Sequence, residues 1–107
     1  MRALHLIISR TSATLTVSLA GELDIATTEL LRGHLLELLQ EAGHPHRRQA
    51  GLVIEVSRLS FIDAAGLGIL VSVQNQALLR RIPLRIAGAP PSMRRLLRIT
   101  GLDAHLT

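Results

Sequence analysis

The feature that most constrains the fold is one passage, Leu52-Val53-Ile54-Glu55-Val56 followed shortly by Phe61-Ile62-Asp63-Ala64-Ala65-Gly66-Leu67-Gly68. Its first part is apolar and β-branched with little alternation, which suits a central strand covered on both faces. Its second part opens a helix: Asp63 can accept a hydrogen bond from an unpaired first-turn amide, and small residues follow it. Strand, tight turn around Ser57–Asp63 and helix from about Ala65 to Arg81 commit the chain to layered α/β packing.

The remaining segments fit that class. Leu4–Ser9 is short and apolar, and Leu15–Leu19 alternates, so the two predict a hairpin across the polar Arg10–Ala13. Gly21-Glu22-Leu23-Asp24 is read as ending the second strand, with Asp24 capping a helix from Ile25 to about Glu41. Leu31, Leu35, Leu38 and Ala42 follow helical spacing there, Leu30 and Leu39 widen the stripe, and Gly43 stops it. His44–Gln49 reads as an exposed loop. In the helix after the turn, Leu67, Leu70, Val71, Val73, Ala77 and Leu78 recur at three- and four-residue steps. Pro83 ends it, Leu84–Ala87 is a short strand, and Gly88-Ala89-Pro90-Pro91 turns into a last helix. Met93, Leu96, Leu97 and Thr100 mark the inner face of that helix, and Gly101 closes it. The order is β β α β α β α, with right-handed parallel crossovers in the later part. The expected architecture is one mixed sheet of four to five strands covered by three to four helices.

A chain of 107 residues suits a single domain, 1–107, with one core and no deep enzyme cleft. Hydrophobic residues form 48% of it and Phe61 is its only aromatic, so the core is aliphatic. With no cysteine, disulfides, thiolate catalysis and thiolate zinc sites are excluded, which fits a reducing compartment. Met1–His5 lacks the apolar core of a signal peptide, and nowhere do about 18 apolar residues run together. The reading is therefore cytoplasmic, without membrane insertion.

Net charge is +4 and every basic residue is arginine, clustered late as Arg80, Arg81, Arg85, Arg94, Arg95 and Arg98. Nucleic-acid binding would call for aromatic stacking or a reading element beside that charge, and neither is present. Solvated faces of the last two helices account for it.

Around the turn, Asp63 acts as N-cap, and Ala64, Ala65, Gly66 and Gly68 leave an electropositive helix start clear of bulky side chains. Such a surface accepts close approach by a partner. The alternative is that both glycines only let the helix start pack closely on its neighbours. A phosphate loop is excluded, because no Lys-Ser/Thr follows and the dinucleotide spacing is missing.

Three motifs in order resemble the STAS family of anti-sigma-factor antagonists, over about Leu15 to Leu106. They are Gly21-Glu22-Leu23-Asp24, Phe61-Ile62-Asp63-Ala64-Ala65-Gly66-Leu67-Gly68, and Met93-Arg94-Arg95-Leu96-Leu97 with Thr100-Gly101-Leu102. The resemblance implies a STAS (anti-anti-sigma-like) fold and a module that binds an anti-sigma factor, itself a serine kinase, to free a sigma factor. It implies a partner-binding surface of Glu22, Asp24, Ser60, Phe61, Asp63, Ala64, Ala65, Gly66, Leu67 and Gly68. In the family the residue after the turn aspartate is a phosphorylated serine or threonine. Here it is Ala64, followed by Ala65, so the usual off-switch is absent. The module is then either constitutively active or serves a partner that is not a kinase. Ser60 and Ser57 are the nearest hydroxyls: either is a candidate substitute acceptor, and the ordinary alternative is side-chain bonding to turn amides.

Other STAS proteins are subunits of membrane lipid-transport ABC complexes, clamped to the ATPase, and this is the second reading. Their turn more often reads Asp-Thr-Ala-Gly-Leu-Gln, so Gly68 favours the antagonist. A larger STAS signalling assembly is the third reading, and the sequence leaves a monomer or weak dimer open. His5, His34, His44, His46 and His105 form no ligand pattern, so no metal or cofactor is expected. Asp24 and Asp63 are more simply caps than an acid–base pair, and Ser12, Ser57 and Ser60 have no histidine base in sequence context. The expectation is a binding module and not an enzyme.

Overall fold

The structure is a computed structural model that describes residues 3–11, 14–23, 25–43, 51–99 and Gly101, with the side chain of Phe61 outside that description. Among the described residues seven elements follow one another: β1 (His5–Arg10), β2 (Leu15–Leu23), α1 (Thr28–Ala42), β3 (Leu52–Ile62), α2 (Ala64–Leu79), β4 (Leu84–Ala87) and α3 (Pro91–Ile99). They form one mixed sheet in the order β1-β2-β3-β4. The β1/β2 pair is antiparallel, and β2/β3 and β3/β4 are parallel, as the crossovers require. The expected α/β class, element order and mixed sheet are all present.

The hairpin closes where the polar segment begins. Thr11 N–H donates to the Thr14 carbonyl at 3.0 Å, and Thr14 N–H donates to the Thr11 hydroxyl at 2.9 Å. At this same end of the hairpin Arg10 reaches α1, donating from Nε to Glu41 Oε2 at 2.6 Å and from Nη2 to Oε1 at 3.0 Å.

Leu15, Val17, Leu19 and Leu23 of β2 face one side with Leu52, Ile54, Val56 and Leu59 of β3 and Leu84 and Ile86 of β4. Leu31, Leu35, Leu38, Leu39 and Ala42 of α1, Leu67, Leu70, Val73 and Ala77 of α2, and Met93 and Leu97 of α3 complete the same core. The other face is left half-exposed at Thr16, Ser18, Val53 and Glu55. This corrects the expectation that β3 is covered on both faces. Its β-branched run is sided, because Val53 and Glu55 alternate with fully buried neighbours.

Three boundaries also differ. Gly21-Glu22-Leu23 does not break β2. Gly21 takes a φ of +101°, open to glycine at low cost, and the register shifts between it and Glu22, so the strand bulges and stays paired. β3 in turn runs to Ile62 and does not turn at Ser57, because the lengthened β2 gives it a partner as far as Leu23. The turn shrinks to Asp63. The first helix begins at Thr28, with Thr27 as N-cap and no side-chain cap bond, in place of Ile25 capped by Asp24. Asp24 itself lies outside the described residues, as do the expected loop His44–Gln49 and Thr100. Leu30 and Leu78, placed on apolar stripes, are 66% and 59% exposed, and Leu96 is 39% exposed. Gly43 and Gly101 stand where α1 and α3 end.

Candidate partner-binding site

The C-terminal ends of β2 and β3 and the start of α2 meet at one end of the sheet. Glu22 is in register with Phe61 and Leu23 with Ile62, and Asp63 N–H donates to the Leu23 carbonyl at 3.3 Å. The two separated sequence motifs are therefore strand neighbours.

Asp63 has an extended backbone (φ −107°, ψ −175°), and its Oδ1 accepts from Gly66 N–H at 2.9 Å, while Leu67 N–H donates to the Asp63 carbonyl at 3.0 Å. The expected N-cap is in place, and α2 starts one residue earlier than expected, at Ala64. A carboxylate there also complements the positive end of the helix dipole. Ala64, at the first helical position, is exposed, and Ala65 is half-buried beside it.

The glycines divide the two readings between them. A Cβ on Gly66 would meet Leu23 and Ile62, so this glycine is a packing requirement. A Cβ on Gly68 would meet nothing within 4 Å, and Gly68 is exposed. Gly66 and Leu67 are buried and hold the helix start on the sheet, while Ser60, Ala64 and Gly68 present exposed surface beside the half-buried Glu22, Asp63 and Ala65. Ser60 donates its hydroxyl to the Gly21 carbonyl at 3.1 Å, tying β3 to the bulge of β2. The acceptor is a strand carbonyl and not a turn amide, so this serine belongs to the bulge. Ser57 offers its amide, not its hydroxyl, to Glu55 Oε1 at 2.8 Å.

Sequence reasoning missed a groove beside this site. A cavity of about 210 Å³ lies between the end of β3 (Leu59, Ser60, Ile62) and α3 (Pro90, Ser92, Met93, Leu96). Its only signal was Leu96, assigned to the inner face of α3 although it stands off from the Met93–Leu97 stripe. A larger cavity of about 500 Å³ opens on the uncovered face of the sheet, lined by Ala3, His5, Ala20, Gly21 and Arg58.

Among the described residues no group of three or more His, Cys, Asp or Glu is gathered, and no helix is long and apolar enough to cross a membrane. His5 and His34 are exposed on separate elements. His44, His46, His105 and Ser12 lie outside the described residues.

The chain matches the family model described as "Mlab, STAS domain" over residues 7–107. It is similar in structure to an anti-sigma factor antagonist from Mycobacterium paratuberculosis, at 23% identity and a TM-score of 0.79, covering 97% of this chain and 83% of that one. The anti-sigma factor antagonist SpoIIAA in its unphosphorylated form gives 22% identity and a TM-score of 0.69, with coverage of 91% and 83%. The Bacillus cell fate determinant SpoIIAA in its phosphorylated form gives 22% and 0.73, with coverage of 98% and 89%. The four-stranded mixed sheet with its three helices is the fold these proteins share.

Proposed function

The chain belongs to the STAS domain family, and from that premise we propose that it is an anti-sigma-factor antagonist, a docking module that binds an anti-sigma factor of the switch-kinase type and so frees a sigma factor in the cytoplasm. The observation that carries this reading is the exposed Ala64 at the first position of α2, beside the Asp63 cap and next to the paired Glu22–Phe61 strand ends. A partner can approach the backbone closely there, with Ser60, Ala64 and Gly68 as contact surface and Glu22, Asp63 and Ala65 at its edge. The family resemblance adds Asp24 and Phe61 to the proposed contact residues, and the buried Gly66 and Leu67 hold the helix start in place.

The chemistry at position 64 sets the regulation. A phosphate on a hydroxyl there would bring about −1.5 to −2 charges next to the Asp63 carboxylate and into the contact. Ala64 has no atom to carry it. The module is thus held in its binding-competent form, unlike SpoIIAA, for which a phosphorylated form exists. Ser60 is a poor substitute acceptor, because its hydroxyl is engaged with the Gly21 carbonyl.

Mixing the purified protein with candidate anti-sigma kinases, with and without ATP, tests this. Stable binding in both conditions is expected. Binding that ATP abolishes through modification of this chain overturns the claim of a missing switch, and failure to bind any such kinase overturns the antagonist reading.

A second reading keeps one observation in its favour. The matching family model is described as "Mlab, STAS domain" and not by an antagonist's name, and small STAS proteins also serve as subunits of lipid-transport ABC complexes. Gly68 weighs the other way. A Cβ there would meet nothing within 4 Å, so the fold does not demand glycine at that position. Co-purification with an ABC-type ATPase in place of an anti-sigma factor would reverse the order of the two readings.

A further inference from the structure

α2 joins the two ends of the molecule. It starts at the partner end, on Asp63, and its 16 residues bring the chain back to the opposite end, where the Pro83 carbonyl accepts from Leu52 N–H at 2.9 Å at the start of β3. Gly43, after α1, lies against Ile82, and Gly51, before β3, lies against Pro83. The end of α2 closes as a Schellman motif: Ile82 N–H donates to the Ala77 carbonyl at 2.9 Å and Arg81 N–H to the Leu78 carbonyl at 3.2 Å. The residue just past the cap in that motif takes a left-handed backbone, which glycine adopts without a steric penalty. Here it is Arg81, with a φ of +56°, the one non-glycine residue of positive φ among the described residues.

Three observations mark this end as a contact surface. An arginine in the left-handed position costs stability that glycine would spare, which points to a use for its side chain outside the fold. The tip is also apolar and cationic at once: Leu78 and Leu79 are 59% and 78% exposed, and the exposed Arg80 and Arg81 follow them directly. Carboxylates, finally, are scarce around it. None occurs from Ala64 to Ile99, nor in residues 44–50, which join Gly43 to Gly51 and bring Arg47 and Arg48. Glu41, in the last turn of α1, is held by Arg10. Glu22, Glu29 and Asp63 stand instead at the partner end, where β2 and β3 finish and α1 and α2 begin.

We propose that this end of the molecule rests on an anionic lipid surface, with Leu78 and Leu79 entering the headgroup region and Arg80 and Arg81 set on lipid phosphates. The charge of the tip complements such a surface, and the leucines select it. A soluble polyanion would meet the arginines and leave both leucines in water, whereas the lipid interface takes the four consecutive residues together. The contact is peripheral, because no described helix is long and apolar enough to cross a membrane. It also leaves the start of α2, at the other end of the helix, turned away from the lipid and open to a protein partner.

The test is co-sedimentation of the full chain with vesicles of phosphatidylcholine, alone or mixed with phosphatidylglycerol. Binding to the mixed vesicles is expected, weakening as salt is added, with none to phosphatidylcholine alone. Arg80→Gln and Arg81→Gln each weaken it about fivefold, and Leu79→Ser weakens it about tenfold. Arg94→Gln removes the same charge from α3, whose neighbours Ser92 and Met93 line the groove with Ser60 and Ile62 at the partner end, and leaves binding unchanged. Arg81→Gly separates contact from folding: it weakens vesicle binding as Arg81→Gln does, while its melting temperature holds or rises. Ala64→Glu leaves vesicle binding intact even where it abolishes capture of a switch kinase, so this proposal and the antagonist reading fail separately. No binding to the mixed vesicles overturns the proposal, and polyglutamate bound while the vesicles stay inert gives the patch to an acidic protein instead. Equal weakening by Arg94→Gln overturns it as well, because adsorption then follows net charge alone. So does an Arg81→Gly variant that melts lower and binds vesicles like wild type, which returns the arginine to the role of a helix-end counter-charge.

Discussion

Gly66 sits so close to Leu23 that a methyl group in place of its hydrogen would lie 2.7 Å from the Leu23 Cγ and 3.0 Å from the Leu23 carbonyl oxygen. The start of α2 is thereby pressed onto the end of β2, with the wall of that contact completed by Ile62. This closeness holds the helix start beside the strand end, although Leu23 and Gly66 are 43 residues apart in the chain. Gly68, one half-turn further along the helix, is in open space.

The two glycines should therefore respond in opposite directions. Gly66→Ala forces Leu23 or the backbone to move and is expected to cost about 1–3 kcal/mol of unfolding free energy. Gly68→Ala removes a flexible residue from an exposed helix position and is expected to add up to about 1 kcal/mol. Urea unfolding of both variants measures this. Equal effects would show that the contact at Leu23 is not what glycine serves there.

Ser60 is the second strut of the site. Its hydroxyl bond to the Gly21 carbonyl holds β3 against the bulge that keeps Glu22 in register with Phe61. Ser60→Ala is expected to cost about 0.5–1.5 kcal/mol and to shift the amide resonances of Gly21 and Glu22, while Ser60→Thr, which keeps a hydroxyl on a strand, restores both. Unchanged resonances at Glu22 in the alanine variant would separate the serine from the bulge.

The Arg10–Glu41 pair predicts an absence of pH dependence. The Arg10 guanidinium is raised above its ordinary pKa by its hydrogen bond to Glu41, then by the Glu41 charge, with desolvation opposing. A cation whose folded pKa is raised contributes stability that is complete below its unfolded pKa and is lost only as pH rises through the folded value. That window lies far above neutrality, so the difference in unfolding free energy between wild type and Arg10→Gln should stay constant across mildly acidic to mildly basic pH. The pair is solvent-exposed, and added salt should shrink the difference.

The elements that were legible in the sequence were those whose pattern is local. The spacing of Leu31, Leu35 and Leu38, the cap at Asp63 and the Leu84–Ala87 strand all survive because helix period, cap chemistry and a proline boundary act within a few residues. What was not legible depends on partners distant in the chain. Gly21 looks like a strand end, yet its positive φ is spent on a bulge whose register is set by β3. Ser57, Arg58 and Ser60 look like turn residues, yet they sit in a strand because β2 runs on beside them. The groove at α3 arises from unequal strand lengths, which no local pattern encodes. At the site itself the Asp63 cap was readable, while the difference between Gly66 and Gly68 was not, since both are small residues in one motif and only their neighbours distinguish them.

Ala64 permits the sharpest separation of docking from folding. A carboxylate introduced at the first position of α2 faces the positive end of the helix dipole, so Ala64→Glu should hold or raise stability by about 0.3–1 kcal/mol. If Ala64 lies at the centre of the partner contact, the same variant nonetheless loses the anti-sigma factor, because the new charge sits in the interface beside Asp63. Ala64→Ser supplies the missing hydroxyl in the same exposed place. With a kinase that binds the wild-type chain and labelled ATP, the serine variant should take up label and release its partner, whereas the wild-type chain stays unlabelled and bound. Calorimetric titration of the three proteins, beside their thermal melts, makes the comparison. A glutamate variant that is folded and still binds at full affinity would move the contact away from α2 and leave the alanine without regulatory meaning.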